Sequence, residues 1–268
     1  MESIHLKSPA EIEKLRESGH LVARIHKSIS EVVRPGLTTG ELDRRVETMI
    51  RAAGARPAFK GYARENKGKF PASICASVNE EVVHGIPGKR VLRDGDIISV
   101  DLGVELNGYF GDMAVTHTVG EVDGRLRKLL EVTEEAVFVG IRMARPGNRI
   151  SDIARAIQTM VEENNFSVVR EYVGHGIGRI MHEPPQVPNF WDDSMTGQDR
   201  RLEPGMVMAL EPMVNMGTWK TRELADRWTV VTRDRKPSAH FEHMVAVRED
   251  GPDILTLLDD KRSEGGRG

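Results

Sequence analysis

IISVDLGVELNGYFGDMAVTHT, residues 97–118, is the stretch on which the fold turns. Two runs rich in β-branched residues flank Asn107-Gly108, the dipeptide best suited to the two positive φ angles of a type I′ turn. The stretch is therefore read as a hairpin. Its two-residue loop pairs positions whose numbers sum to 215, which sets Asp112 opposite Gly103. Asp101, two residues from Gly103, then shares a face with Asp112 as its diagonal neighbour. Gly103 has no side chain and is expected to leave a hollow between the two carboxylates. Bare acids on one face of an otherwise apolar strand pair are costly to bury, so this face calls for a cation.

Helical patterns stand on both sides of the hairpin. Ser8-Pro9-Ala10-Glu11 is a helix start with a capping box, and Ile12, Leu15, Val22, Ile25, Ile29 and Val32 recur at helical spacing until Arg34-Pro35-Gly36. Thr38-x-x-Glu41 opens a second helix that closes near Gly54. Residues 55–71 read as a loop with the polar patch RENKGK, 64–69, at its tip, and 72–78 and 82–86 as short strands. Asp123 caps a third long helix ending at Arg145-Pro146-Gly147, and Ser151-Asp152 starts a fourth.

The order contains a duplication. Arg34-Pro35-Gly36 returns as Arg145-Pro146-Gly147, and VVHGIP (82–87) as YVGHGIG (172–178), aligning His84 with His175. LRDGDIISVDLGV (92–104) is echoed by LEPGMVMALEPMV (202–214), aligning Asp101 with Glu211. GDMAVTHTV (111–119) is echoed by FEHMVAVRE (241–249), aligning Asp112 with Glu242. One repeat of about 110 residues is too long for a solenoid unit and points to two halves about a pseudo-two-fold axis.

If the halves meet face to face, Asp101, Asp112, Glu211 and Glu242 converge, with His84 and His175 at the margin. Their four charges match two divalent cations, whereas one cation leaves like charges that a raised pKa has to relieve. Paired metals about 3.5–4 Å apart are a known hydrolytic arrangement. Oxygen-rich ligation with one imidazole suits manganese, iron(II), cobalt or zinc. A lone strand Asp or Glu is ordinarily a solvated face; here two pairs recur across a duplication. His84 and His175 each sit in an HGI tripeptide, whose glycine allows close backbone approach. His243 adjoins Glu242 and so points to the opposite face, and His20, His26 and His117 keep structural readings. GHGIG (174–178) lacks the spacing of a dinucleotide loop. The twelve methionines fall at core spacing.

Composition narrows the class. The 268 residues are 39% apolar and 29% charged, in keeping with a soluble globular protein, with a net charge of −3 and a pI near 6.3. That balance offers no electrostatic footprint for nucleic acid or an anionic membrane. MESIHLKSPAEIEKL lacks the apolar centre of a signal peptide, and no run has the length of a membrane span. Cys75 is the single cysteine, so no intrachain disulfide forms and a reducing cytoplasm is the expected compartment.

NEEVVHGIP (79–87), the Asp101/Asp112 hairpin, GHGIGRIMHEPP (174–185), LEPGMVMALEP (202–212) and SAHFEHMVAV (238–247) together resemble the type I, bacterial-type methionine aminopeptidases, from about residue 4 to 257. The resemblance implies an α+β pita-bread fold: a curved antiparallel sheet backed by two pairs of helices. It implies one catalytic domain over 1–257, with halves at about 10–120 and 121–250, and a disordered tail at 258–268. By the same resemblance Asp101 chelates one of two divalent ions (Co, Mn, Fe(II) or Zn), His175 and Glu211 bind the other, and Asp112 and Glu242 bridge them. Glu211 is then the base, His84 meets the scissile amide nitrogen, and His182 stabilises the carbonyl oxygen. Phe59, Tyr62, Phe70, Cys75, Met181 and Trp228 are the implied lining of a methionine pocket. Phe59, Phe70, Met181 and His240 depart from the common bacterial pattern, and the 64–69 patch lengthens its loop by about five residues. Only 28 residues separate His182 from Glu211, which leaves no room for the helical insertion of type II enzymes.

The implied activity is removal of initiator methionine from nascent chains and peptides with a small second residue, through attack of a water bridging the metals. The implied setting is a cytoplasmic monomer with transient ribosome association and no nucleic-acid or membrane partner. Two alternatives remain at this stage: an X-Pro aminopeptidase or prolidase on the same fold, and a catalytically silent binding module.

Overall fold

A computed structural model describes residues 3–64 and 67–258. Apart from Leu258, the expected tail at 258–268 lies outside the described residues, as do Glu65 and Asn66 of the 64–69 patch.

The hairpin forms as its sequence dictates. Strands Ile97–Leu106 and Tyr109–Thr118 pair with Gly103 opposite Asp112. Asn107 and Gly108 carry the positive φ angles of the turn, 53° and 78°. On the other side of Ile97–Leu106 lies Ile74–Val78, which sets Cys75 beside Asp101. From Ile98 onward the strand alternates. Ile98, Val100, Leu102 and Val104 are fully buried on one face, and Ser99, Asp101 and Gly103 occupy the other.

The apolar face is covered by helices. Helix α1 (Pro9–Val32) starts with a reciprocal box: the Ser8 N–H donates to the Glu11 carboxylate at 3.0 Å and the Glu11 N–H to Ser8 Oγ at 3.4 Å. Helix α2 (Thr39–Ala52) repeats the device with Thr38 and Glu41. Val22, Ile25 and Ile29 of α1 and Leu42, Val46 and Ile50 of α2 pack on the even-numbered strand residues. Each such aliphatic side chain contributes roughly 1.5–3 kcal/mol relative to exposure. Helix α3 (Gly124–Met143) is capped by Asp123, whose Oδ1 accepts from the N–H groups of Arg125 and Leu126 at 2.8 Å. Helix α4 (Ile150–Glu163) begins one residue before the expected Ser151, because the Arg149 N–H closes on Asp152 Oδ2 at 2.8 Å. Leu129, Val137, Ile153 and Ile157 of this second pair pack on Met208, Leu210, Val245 and Val247.

The duplication is visible in matched hydrogen bonds. The Gly36 N–H donates to Leu92 O (2.9 Å) and the Gly147 N–H to Leu202 O (3.1 Å). Gly36 and Gly147 share φ angles of 89° and 90°, and α2 and α4 each have 14 residues.

The second ladder departs from the first in one respect. Val207–Leu210 and Met213–Asn215 pair with His243–Arg248 and Ser238–His240, but pairing lapses at 211–212 and 241–242. Pro212 has no N–H to give, and the Glu242 N–H instead donates to Ala114 O at 2.9 Å, tying the ladder to the hairpin of the other half. The Gly95 N–H donates to Val119 and the Gly205 N–H to Val247, both at 2.9 Å. The outer strands are thus offset by 247 − 119 = 128 residues, not the 130 of the sequence echo. His240 is therefore the ladder counterpart of Asp112, and Glu242 that of Ala114. A slip of two preserves which face each side chain occupies, so alternation alone does not detect it. Among the described residues no helix is long and apolar enough to cross a membrane.

Candidate metal centre

The polar faces of the two ladders enclose a cavity of about 540 Å³. Asp101 and Asp112 enter it from the hairpin, His175 from the strand Gly174–Gly176, Glu211 from the end of Val207–Leu210, and Glu242 from the break beside it. Ligand atoms of Asp112, His175 and Glu242 lie within 4.8 Å of one another. His175 Nε2 is 3.8 Å from Asp112 Oδ2 and 3.5 Å from Glu211 Oε1.

The electrostatics of this group ask for positive charge. Burial raises the Asp101 pKa to about 7. Asp112 is pushed well up by burial and then by the charges of Glu242 and Asp101. Glu211 is raised by burial, Asp112 and Asp101, and Glu242 by burial, Glu211 and Asp101. Asp101 Oδ1, Asp112 Oδ1 and Glu242 Oε1 are buried without a hydrogen-bond partner. The imidazole adds a sharper sign. His175 Nδ1 lies 3.0 Å from Gly176 O, and a carbonyl only accepts, so Nδ1 carries the hydrogen. Burial lowers the His175 pKa to about 4, so the ring is neutral near pH 7 and Nε2 turns a lone pair toward the two carboxylates. A lone pair facing two carboxylates is repulsive unless a proton or a cation stands among them. This donor set fits a borderline divalent ion of the manganese, iron, cobalt or zinc kind.

His84 stands at the margin in a left-handed conformation, φ 59°. The following Gly85 is required: a Cβ there would meet Ala76 O at 2.4 Å. Gly176, after His175, is held likewise against Pro184 O. The His84 ring is edge-on to Tyr172 (5.6 Å) and Trp228 (6.3 Å). Its Nδ1 has no partner, and burial lowers its pKa to about 3, with Arg64 and Lys67 adding to the effect. His182 is exposed at the rim, its Nδ1 3.0 Å from Tyr62 Oη.

Phe70, Cys75 and Trp228, with Phe59 and Tyr62 packed against them, form the apolar end. Burial, then the charges of Asp101 and Asp112, push the Cys75 thiol well up, so it stays protonated. Met181 is placed differently from its expected position in the pocket lining. It is buried but does not line the cavity. A Cβ on Gly103 would lie 2.8 Å from Met181 Cε and 3.0 Å from Phe59 Cε1. The expected hollow at Gly103 is thus filled by apolar side chains, which is why glycine is needed there.

Sequence reasoning missed several neighbours. His240 was noted only as a departure from the bacterial pattern. It is 1% exposed, neither ring nitrogen is hydrogen-bonded, and Nε2 lies 3.8 Å from Glu211 Oε2. Only the true register, which makes it the counterpart of Asp112, points to it. Glu183 is held by the buried Lys7 at 2.6 Å and fixes the turn before it by accepting from the Ile180 N–H. Arg64 and Tyr172 complete the rim. His243, read as structural, turns away from the cavity to Thr256 Oγ1 (2.8 Å) and Phe138.

Comparison with known proteins agrees with this geometry. The profile of metallopeptidase family M24 matches residues 13–249. Methionine aminopeptidase 1 of Bacillus subtilis is 53% identical over 252 residues, covering 94% of this chain and 98% of its own. Methionine aminopeptidase from Thermotoga maritima superposes with a TM-score of 0.90 at 42% identity, over 96% of this chain and 100% of that one. The enzyme from Rickettsia prowazekii gives 0.90 at 39% identity, over 95% and 100%. The architecture is the pita-bread fold. With sequence, fold and a buried carboxylate–imidazole group all in agreement, the chain belongs to metallopeptidase family M24, among its methionine aminopeptidases.

Proposed function

We propose that this protein is a metal-dependent aminopeptidase that releases N-terminal methionine from peptides and nascent proteins with a small second residue. One observation carries the reading. One cavity is lined both by the apolar Phe70, Cys75 and Trp228 and by four carboxylates, Asp112 and Glu242 buried and Asp101 and Glu211 half-buried, with an imidazole lone pair among them. Asp101, Asp112, His175, Glu211 and Glu242 would hold divalent ions, two of them by charge balance, which supply Lewis acidity toward the scissile carbonyl.

The remaining roles belong to the chain itself. The free α-amino group would lodge on the Asp101 side of the site, which restricts cleavage to the first residue. The apolar end takes the unbranched thioether side chain. Glu211 accepts the proton of the attacking water. His84, neutral and with Nδ1 unpartnered, meets the scissile nitrogen. His182, oriented by Tyr62, stabilises the carbonyl oxygen as charge develops on it. Residues 1–257 form one catalytic domain of two related halves. It works in the cytoplasm as a monomer, with transient ribosome contact where its substrates emerge.

The test uses chelator-treated protein titrated with manganese, iron(II), cobalt or zinc, with Met-Ala-Ser and X-Pro peptides as substrates. Turnover of Met-Ala-Ser that appears only with metal, saturates near two equivalents and is lost in Glu211→Gln is the expected result. Cleavage of X-Pro bonds in preference would favour the prolidase reading. A failure to bind metal at all would favour the silent module.

A further inference from the structure

The rim of the cavity carries a cation that the chemistry above does not use. Residues Ala63–Arg64 and Gly68–Lys69 pair as a short hairpin, Arg64 opposite Gly68. Its root is fixed to the cavity wall, since the Phe70 N–H donates to Tyr62 O at 2.8 Å and the Gly61 N–H to Phe70 O at 2.9 Å. Lys67 pairs with Glu223 and stands 6.0 Å from the centre of the Trp228 ring, which ties the hairpin to the Thr221–Glu223 strand and to Trp228.

Lys67 is therefore committed, but Arg64 is not. Arg64 is half-buried and is the sole lysine or arginine lining the cavity among the described residues. None of its described neighbours forms an ion pair with it. Its charge nonetheless reaches His84, His175, Glu211 and Tyr172. The nearby rim acid Glu183 is already neutralised by Lys7.

The layout of the cavity says which part of a substrate passes Arg64. On the aminopeptidase reading the methionine side chain packs on Phe70, Cys75 and Trp228 and the scissile bond lies at the carboxylates. The rest of the peptide leaves past the residues at the mouth, Glu171, Gln186 and His182, all exposed, with Tyr172 and Arg64 half-buried beside them. A guanidinium fork suits a carboxylate in two-point contact. Building on the aminopeptidase reading, we infer that Arg64 is a specificity residue that binds a carboxylate on the peptide downstream of the scissile bond. This chain accordingly favours substrates that carry an acidic residue shortly after the small second position.

The carboxylate has two possible sources in a short peptide, a side chain or the C-terminus, and amidated peptides separate them. Metal-loaded enzyme is assayed with Met-Ala-Glu-amide, Met-Ala-Gln-amide, Met-Ala-Lys-amide and the free acid Met-Ala-Gln. The wild type is expected to give kcat/KM for the Glu peptide roughly 5–10-fold above the Gln peptide, and the Lys peptide below both. A gain confined to the free acid assigns the contact to the C-terminus; a gain in the amidated Glu peptide assigns it to the side chain. The second result supports the inference; the first keeps Arg64 as a carboxylate site but overturns the preference for an acidic residue.

Arg64→Gln should bring the Glu/Gln ratio to about one and Arg64→Glu should invert it, while Arg64→Lys retains part of it. Each ratio is taken within one preparation, so any misfolded fraction cancels. Affinities of the same peptides for metal-free protein, measured by titration calorimetry, should follow the same order without reference to turnover. Equal Glu/Gln ratios for the amidated peptides in wild type and Arg64→Gln overturn the acidic-residue preference, whatever the free acid shows, while leaving the aminopeptidase reading intact. Failure to release methionine from any of the peptides overturns both.

Discussion

Asp101→Asn should make the metal-free protein more stable while depriving it of its response to metal. In the folded chain burial holds the Asp101 carboxyl at about 7, against an ordinary value of 3.8. The sign follows from linkage. The folded state keeps a proton that the unfolded state has lost, so stability is undiminished below about pH 4 and falls as the pH rises through 7. Above pH 7 the difference amounts to about 4 kcal/mol. Asparagine removes that penalty but leaves a buried amide imperfectly bonded, which returns roughly 1–3 kcal/mol. The net gain is on the order of 1–3 kcal/mol, or roughly 3–8 °C in Tm for a chain of this size.

The assay is thermal unfolding in chelator at pH 5, 6, 7 and 8. The variant should melt with the wild type or below it at pH 5 and above it at pH 8, with a pH slope shallower by about one proton. Saturating manganese should reverse the order. Ion at a hundred times its Kd adds about 2.7 kcal/mol to the wild type and less to the variant, which has lost a ligand. A variant that melts lower at pH 8 in chelator, or that shows the same slope as the wild type, would refute the electrostatic account of the site.

His84→Ala should lower kcat by about 100-fold with metal content unchanged, measured by metal analysis beside steady-state turnover; normal turnover removes His84 from the reaction. His26, buried on α1 with Nε2 2.9 Å from Met113 O, has a pKa of about 3, chiefly from burial and then from His117. Its contribution is complete above pH 6.5 and is lost as the pH falls from there toward 3. Between pH 7 and 5 wild type should therefore lose about 2 kcal/mol relative to His26→Gln in urea unfolding, and a difference independent of pH would exclude the buried neutral ring.

Much of this protein was legible because the controlling interactions are local. Asn107-Gly108 fixed the turn, the turn fixed the register, and the register put Asp101 and Asp112 on one face before any long-range contact was known. Ser8, Thr38 and Asp123 marked helix starts because each answers N–H groups within its own first turn. The duplication likewise announced itself in Arg-Pro-Gly and His-Gly-Ile repeats, and with it the four carboxylates.

What only the tertiary structure decided lies where chains distant in sequence meet. The echo of 111–119 in 241–249 was two residues out, because side chains alternate with a period of two and a slip of two leaves every face unchanged. The matched bonds from Gly95 to Val119 and from Gly205 to Val247 expose the true register, and folding brings His240 against Glu211. Met181 was expected in the pocket, yet it fills the space above Gly103, since that vacancy is visible only once residues 58–59 and 181 have folded over the strand. Arg64 and Lys67 read as a polar patch on a loop, and their opposite fates, one at the rim with no ion pair among the described residues and one tied to Glu223, depend on strands more than a hundred residues away. Periodicity and turn chemistry act over a few residues and can be read along the chain. The closing of one half upon the other is set by packing, which no single segment contains.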